Sequence, residues 1–120
     1  MFRLLPLVLI ACVPSPAELC RRGVDLECTR QFECQSDAVK ASEGFQGGWG
    51  ISVDACRTKV AAQARCDEKA TQNDLCTGEY AGKTFDLGAA SQCSNERRGQ
   101  SCADFLDPEK QPASCKERCK

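Results

Sequence analysis

Eleven cysteines in 120 residues limit what this chain can become more than any other feature. Ten of them lie between Ala17 and Lys120, a span with only fourteen Leu, Ile, Val and Phe residues. A chain so poor in bulky apolar side chains cannot offset the entropy of ordering its backbone by burial alone. Disulfides change that balance, each adding roughly 2–4 kcal/mol to a small domain, and they persist in oxidising compartments. The sequence therefore predicts a domain stapled as five bridges by Cys20, Cys28, Cys34, Cys56, Cys66, Cys76, Cys93, Cys102, Cys115 and Cys119. Reduced, it should be unfolded or molten.

The eleventh cysteine, Cys12, needs its own explanation. An apolar run, Leu4 to Ala11, follows Arg3 and ends on a small residue directly before Cys12. That pattern reads as a lipoprotein-type signal over residues 1–11, with lipidated Cys12 as the mature N-terminus. Residues 12–16 then form a tether and 17–120 the stapled domain. Eight helical residues cover about 12 Å against roughly 30 Å of hydrocarbon, so attachment would rest on acyl chains. The tether from Val13 to Pro16 reaches at most about 14 Å, which would hold the domain close to the bilayer. The expected location is the cell envelope, and Val13 after the cysteine is similar to bacterial lipoproteins sorted to an outer membrane. A rival cleavage after Ala17, where Ser15-Pro16-Ala17 offers small residues, would discard Cys12. The product would be a soluble extracellular inhibitor or effector.

Periodicity predicts an all-α, disulfide-rich domain of about four helices with short helical turns and irregular loops. Ser15, Pro16 and Glu18 make a capping-box start, and Cys20, Val24, Cys28 and Phe32 descend in four-residue steps. A helix is expected over about 16–33, with Gly23 a weak point, and a short one over 37–43. Residues 44–50, Gly-Phe-Gln-Gly-Gly-Trp-Gly, read as a loop. Phe45 and Trp49 there either cover the core edge or form an aromatic contact loop. Ser52 and Asp54 open a helix reaching about residue 69, with Val53, Cys56, Val60 and Ala64 on one stripe. Thr71 to Lys83 is polar and turn-rich. Asp86 should cap a helix over 87–98, ended by Gly99, with one-turn pieces near 101–106 and 112–119. No run alternates with the period of a strand.

Helix geometry also restricts bridging. Eight helical residues rise about 12 Å, but a disulfide needs α-carbons within roughly 7 Å. Cys20 cannot then bond Cys28, nor Cys56 bond Cys66, and the bridges must join different segments. About 900 pairings of ten cysteines exist, and the sequence does not choose one.

Several chemistries are excluded or left unsupported. The chain has no histidine, which removes Ser-His-Asp and Cys-His catalysis and the commonest zinc ligand. No Cys-x-x-Cys occurs, and the glycines at 44, 47, 48 and 50 make no phosphate loop. No catalytic residue, metal site or cofactor is expected. Asp104, Asp107 and Glu109 are the nearest approach to a carboxylate cluster and read as solvated turn residues; a hydrolase would need two close acids in a concavity. A net charge of −1 with interspersed signs argues against nucleic acid as partner. The pairs Arg21-Arg22 and Arg97-Arg98 read as solvated helix faces. The expected partners are the membrane, through N-terminal acyl chains, and an unidentified protein or small molecule.

From about Glu18 onward the chain resembles a family of small cysteine-rich exported lipoproteins of myxobacterial type. The matching pieces are Phe32-Glu33-Cys34, Cys56 within a helix, and Cys76 with Gly78 and Lys83 before Phe85-Asp86. Cys93, Ser101-Cys102-Ala103-Asp104-Phe105 and Pro112-Ala113-Ser114-Cys115 through Cys119 complete them. The resemblance implies an exported helical scaffold and carries over no catalytic residue.

Overall fold

The computed structural model describes residues 13–120. The signal segment and Cys12 lie outside them. The described chain is all-α, with seven α-helices, four 3-10 turns and one isolated antiparallel bridge, Phe85 to Cys119. No helix among the described residues is long and apolar enough to cross a membrane.

Helix α1 (Pro16–Cys34) is the spine. The Ser15 side chain accepts the Glu18 backbone N–H at 3.1 Å, and Pro16 sits where its missing N–H costs nothing. Only half of the expected capping box forms, because the Glu18 carboxylate accepts from Arg22 instead. Helix α2 (Asp37–Lys40) is shorter than the 37–43 expected, since Ser42 starts a new helix.

That new helix corrects the sequence reading of a glycine-rich loop. Residues Glu43–Trp49 form α3, capped by Ser42 and ended by Gly50. Three glycines inside a helix cost about 1 kcal/mol each relative to alanine. The offset comes from Phe45 and Trp49, which lie four residues apart and so share a face. Phe45 is buried, its ring edge-on to Phe32 at 5.2 Å, and Trp49 packs on the core. Burying such a side chain contributes about 1.5–3 kcal/mol, so two of them balance the helix. Gly50 sits at φ +83°, where a Cβ would strain the backbone, with Ala55 and Cys56 already at contact distance.

Helix α4 (Val53–Gln63) stops short of residue 69, followed by a 3-10 turn at Cys66–Glu68. It runs antiparallel to α1. Cys28–Cys56 joins the middle of α1 to the first turn of α4, and Cys20–Cys66 joins the start of α1 to the segment beyond α4. Their α-carbons are 5.8 and 5.4 Å apart, respectively. The core cluster is Val24, Cys28, Cys56 and Cys66, with Phe32, Trp49, Val53 and Val60 packed on it.

The polar stretch after residue 70 forms 3-10 turns at Gln72–Leu75 and Gly78–Tyr80. Helix α5 (Leu87–Gly99) starts at Asp86, whose carboxylate accepts the Ala89 N–H. Helices α6 (Cys102–Leu106) and α7 (Ala113–Glu117) complete the chain. Cys93–Cys115 joins α5 to α7, Cys76–Cys119 ties the turn region to the last residues, and Cys34–Cys102 links α1 to α6. All ten cysteines from Cys20 to Cys119 are thus paired between different segments, as helix geometry requires. Of eleven buried apolar positions, seven are half-cystines; the others are Val24, Leu26, Phe45 and Phe105.

Candidate functional site

The residues singled out from sequence do not converge on a site. Phe45 and Trp49 cover the core edge, so the aromatic contact loop is absent: its residues are helical and Phe45 is buried. Asp107 accepts the backbone N–H of Glu109 at the start of a 3-10 turn, and Asp104 lies in the first turn of α6, where its own N–H meets Ser101 Oγ. These acids organise turns. No group of three or more Cys, Asp or Glu side chains among the described residues is placed to hold a metal.

The feature with site-like geometry is an open groove of about 730 Å³ between the first two turns of α1, the end of α4 and one face of α5. Its apolar floor includes Leu19, Leu75, Phe85, Leu87 and Ala90. Five cations stand around that floor: Arg22, Arg65, Lys69, Arg98 and Arg118. No carboxylate lines the groove. Ser91, Ser94 and Asn95 add hydrogen-bonding groups along α5. Gly23 opens the wall from α1, and a Cβ built there would meet nothing within 4 Å.

The charges of the groove are only partly compensated. Arg22 pairs with Glu18, and Arg65 with Glu68, both from outside the lining. Lys69, Arg98 and Arg118 have no ion-pair partner among the described residues. Arg65 has a further peculiarity. It follows α4 in the left-handed region, at φ 56°, where glycine is the usual residue. A non-glycine side chain there costs roughly 1–2 kcal/mol, and such strain is a recognised companion of functional positions.

One wall of the groove is held by a carboxylate. Asp74 accepts the backbone N–H groups of Thr71 and Ala70 at 2.9 and 3.0 Å. Those bonds hold its carboxyl below the usual carboxylate value. They fix the turn that presents Leu75 to the groove.

Sequence reasoning missed this site. A solvated helix face, the expectation for the basic pairs, describes the exposed Arg21, Arg22 and Arg98 but not Arg97. The Arg97 side chain is 13% exposed and donates from Nε and a terminal nitrogen to Glu27 at 3.0 and 2.7 Å. Its guanidinium also lies 4.4 Å from the centre of the Phe105 ring. Whole-chain charge gave no warning of the groove either, because a net charge sums over faces and hides their segregation. Chemically, the arrangement can hold an anion against an apolar surface. No protein-family model, curated protein or solved structure matches this chain.

Proposed function

We propose that this protein is a small exported lipoprotein of the cell envelope, anchored by acyl chains on Cys12, with a non-enzymatic binding role centred on the basic groove. The observation that carries this reading is the pairing of Cys20 through Cys119 as five bridges. Five bridges suit an oxidising, extracytoplasmic setting, and they leave Cys12 as the odd cysteine, directly behind an apolar run. The resemblance to exported myxobacterial-type lipoproteins, with outer-membrane attachment, points the same way. The start of α1 favours lipidation over release by cleavage after Ala17. That cut would fall inside the first helical turn and remove both Ser15, the cap, and Pro16. A capped helix entry typically contributes about 1 kcal/mol.

Feeding cells an alkyne-bearing fatty acid tests the anchor. Label is expected on the wild-type protein and not on the Cys12→Ser variant. Intact mass of the unreduced native protein should show acyl chains on Cys12 and two hydrogens missing for each of the five bridges. An unlipidated N-terminus at Glu18 would establish the secreted inhibitor or effector instead.

A further inference from the structure

We infer that the groove binds an amphipathic anion, a phosphate- or carboxylate-headed molecule whose apolar body lies on the Leu19, Leu75 and Leu87 floor. This deepens the binding role proposed above and rests on the anchor only for where the ligand is met.

Three independent features of the groove converge on that chemistry. The first is segregation of charge. A chain with 16 basic and 17 acidic residues places five cations and no acid around one concavity. Cations kept for structure in this protein are satisfied by carboxylates, as Arg97 is by Glu27 and Arg57 by Asp25 and Asp54. Arg98 and Arg118 have no such partner, and a planar guanidinium matches phosphate and carboxylate oxygens in paired hydrogen bonds. The second is the floor, whose leucines and Phe85 would give a simple inorganic anion nothing to contact. The third is room: Gly23 lines the groove from α1, and nothing lies within 4 Å of the place its Cβ would take. Size agrees as well: about 730 Å³ falls within the roughly 300–1,000 Å³ of small-molecule sites.

The groove begins at Leu19, seven residues after Cys12. A short-tethered domain would thus meet amphipathic anions at the membrane surface, either as free molecules or as lipid headgroups.

The test is calorimetric titration of the oxidised protein with dodecyl phosphate below its micellar concentration. Dodecyl maltoside, dodecyltrimethylammonium and inorganic phosphate serve as comparison probes. Saturable 1:1 binding of dodecyl phosphate is expected, with each comparison probe at least about tenfold weaker. The Arg98→Gln/Arg118→Gln double variant should lose at least about tenfold in affinity. Gly23→Phe should lose a similar factor by filling the floor. Arg65→Gly serves as the control for folding: its melting temperature should equal or exceed wild type while its affinity falls. Vesicles of phosphatidylglycerol separate the two sources. Sedimentation with them that dodecyl phosphate displaces assigns the site to headgroups, and its absence beside dodecyl phosphate binding assigns it to free amphiphiles. Binding that the neutral maltoside matches, that survives the double variant and Gly23→Phe unchanged, or that never saturates would overturn the proposal. Fatty-acid labelling of Cys12 reads none of these quantities, so either idea can fail alone.

Discussion

Arg97 and Arg98 are neighbours in sequence and opposites in the folded protein. Arg97 is folded inward, paired with Glu27 of α1, and it shares the Phe105 ring with Arg30, whose guanidinium lies 5.1 Å from the ring centre. Arg98 is exposed, without a carboxylate, on the rim of the groove. One face of the molecule gives Arg30 and Arg97 a ring and an acid each; the other collects five cations and leaves three of them, Lys69, Arg98 and Arg118, without an ion pair among the described residues. The first arrangement is self-sufficient and ties α1 to α5. The second leaves charges uncompensated, which is what the proposed anion would answer. A hundred-degree step along one helix separates a paired arginine from an unpaired one.

The contrast can be broken most severely on the inward face. Phe105→Ala should destabilise the protein by about 3–5 kcal/mol, because one ring there supports two guanidiniums; urea unfolding with bridges intact would measure it. A loss below about 1 kcal/mol would mean that the ring is not what orders those arginines. Next come the two neighbours. Arg97→Gln should cost about 1.5–3 kcal/mol, the usual value of hydrogen bonds to a charged group. Arg98→Gln should stay within about 0.5 kcal/mol, as surface changes do. Equal losses would erase the distinction. The smallest effect is on the groove side and concerns acid. A carboxylate held below its usual value contributes stability above the unfolded-state value and loses it as pH falls through the lowered one. Asp74 should therefore hold its turn at neutral pH and release it in acid below the ordinary carboxylate range. Lower amide protection at Ala70 and Thr71, relative to the slower intrinsic exchange in acid, would report the release, and Asp74→Asn should reproduce it at neutral pH.

The sequence announced the helices that follow simple local rules. Ser15-Pro16 and the Cys20, Val24, Cys28, Phe32 stripe marked α1 to within a residue of its end, and Asp86 marked α5. The glycine-rich helix α3 escaped because propensity spoke louder than spacing. Its signal was present nonetheless, in Ser42 followed by Phe45 and Trp49 four residues apart. Pairing of the cysteines was narrowed by helix rise but not chosen, since contact between distant segments leaves no local trace. The groove was wholly illegible for the same reason. Arg22 and Arg118 are nearly a hundred residues apart, and only packing α5 beside α1 brings them to one cavity. Even the left-handed backbone at Arg65 is invisible in sequence, where the expected helix ran on to about residue 69 and an arginine within it looks ordinary.

The single bridge between Cys34 and Cys102 has a mechanical consequence. Two bridges lie within residues 20–66 and two within residues 76–119, so this is the one covalent cross-link between the two regions. It grips the last residue of α1, about 22 Å along the helix from Leu19 at the groove. At the groove end, by contrast, the two regions are joined by the main chain through residues 67–75 and by packing, with no sulfur bond between them.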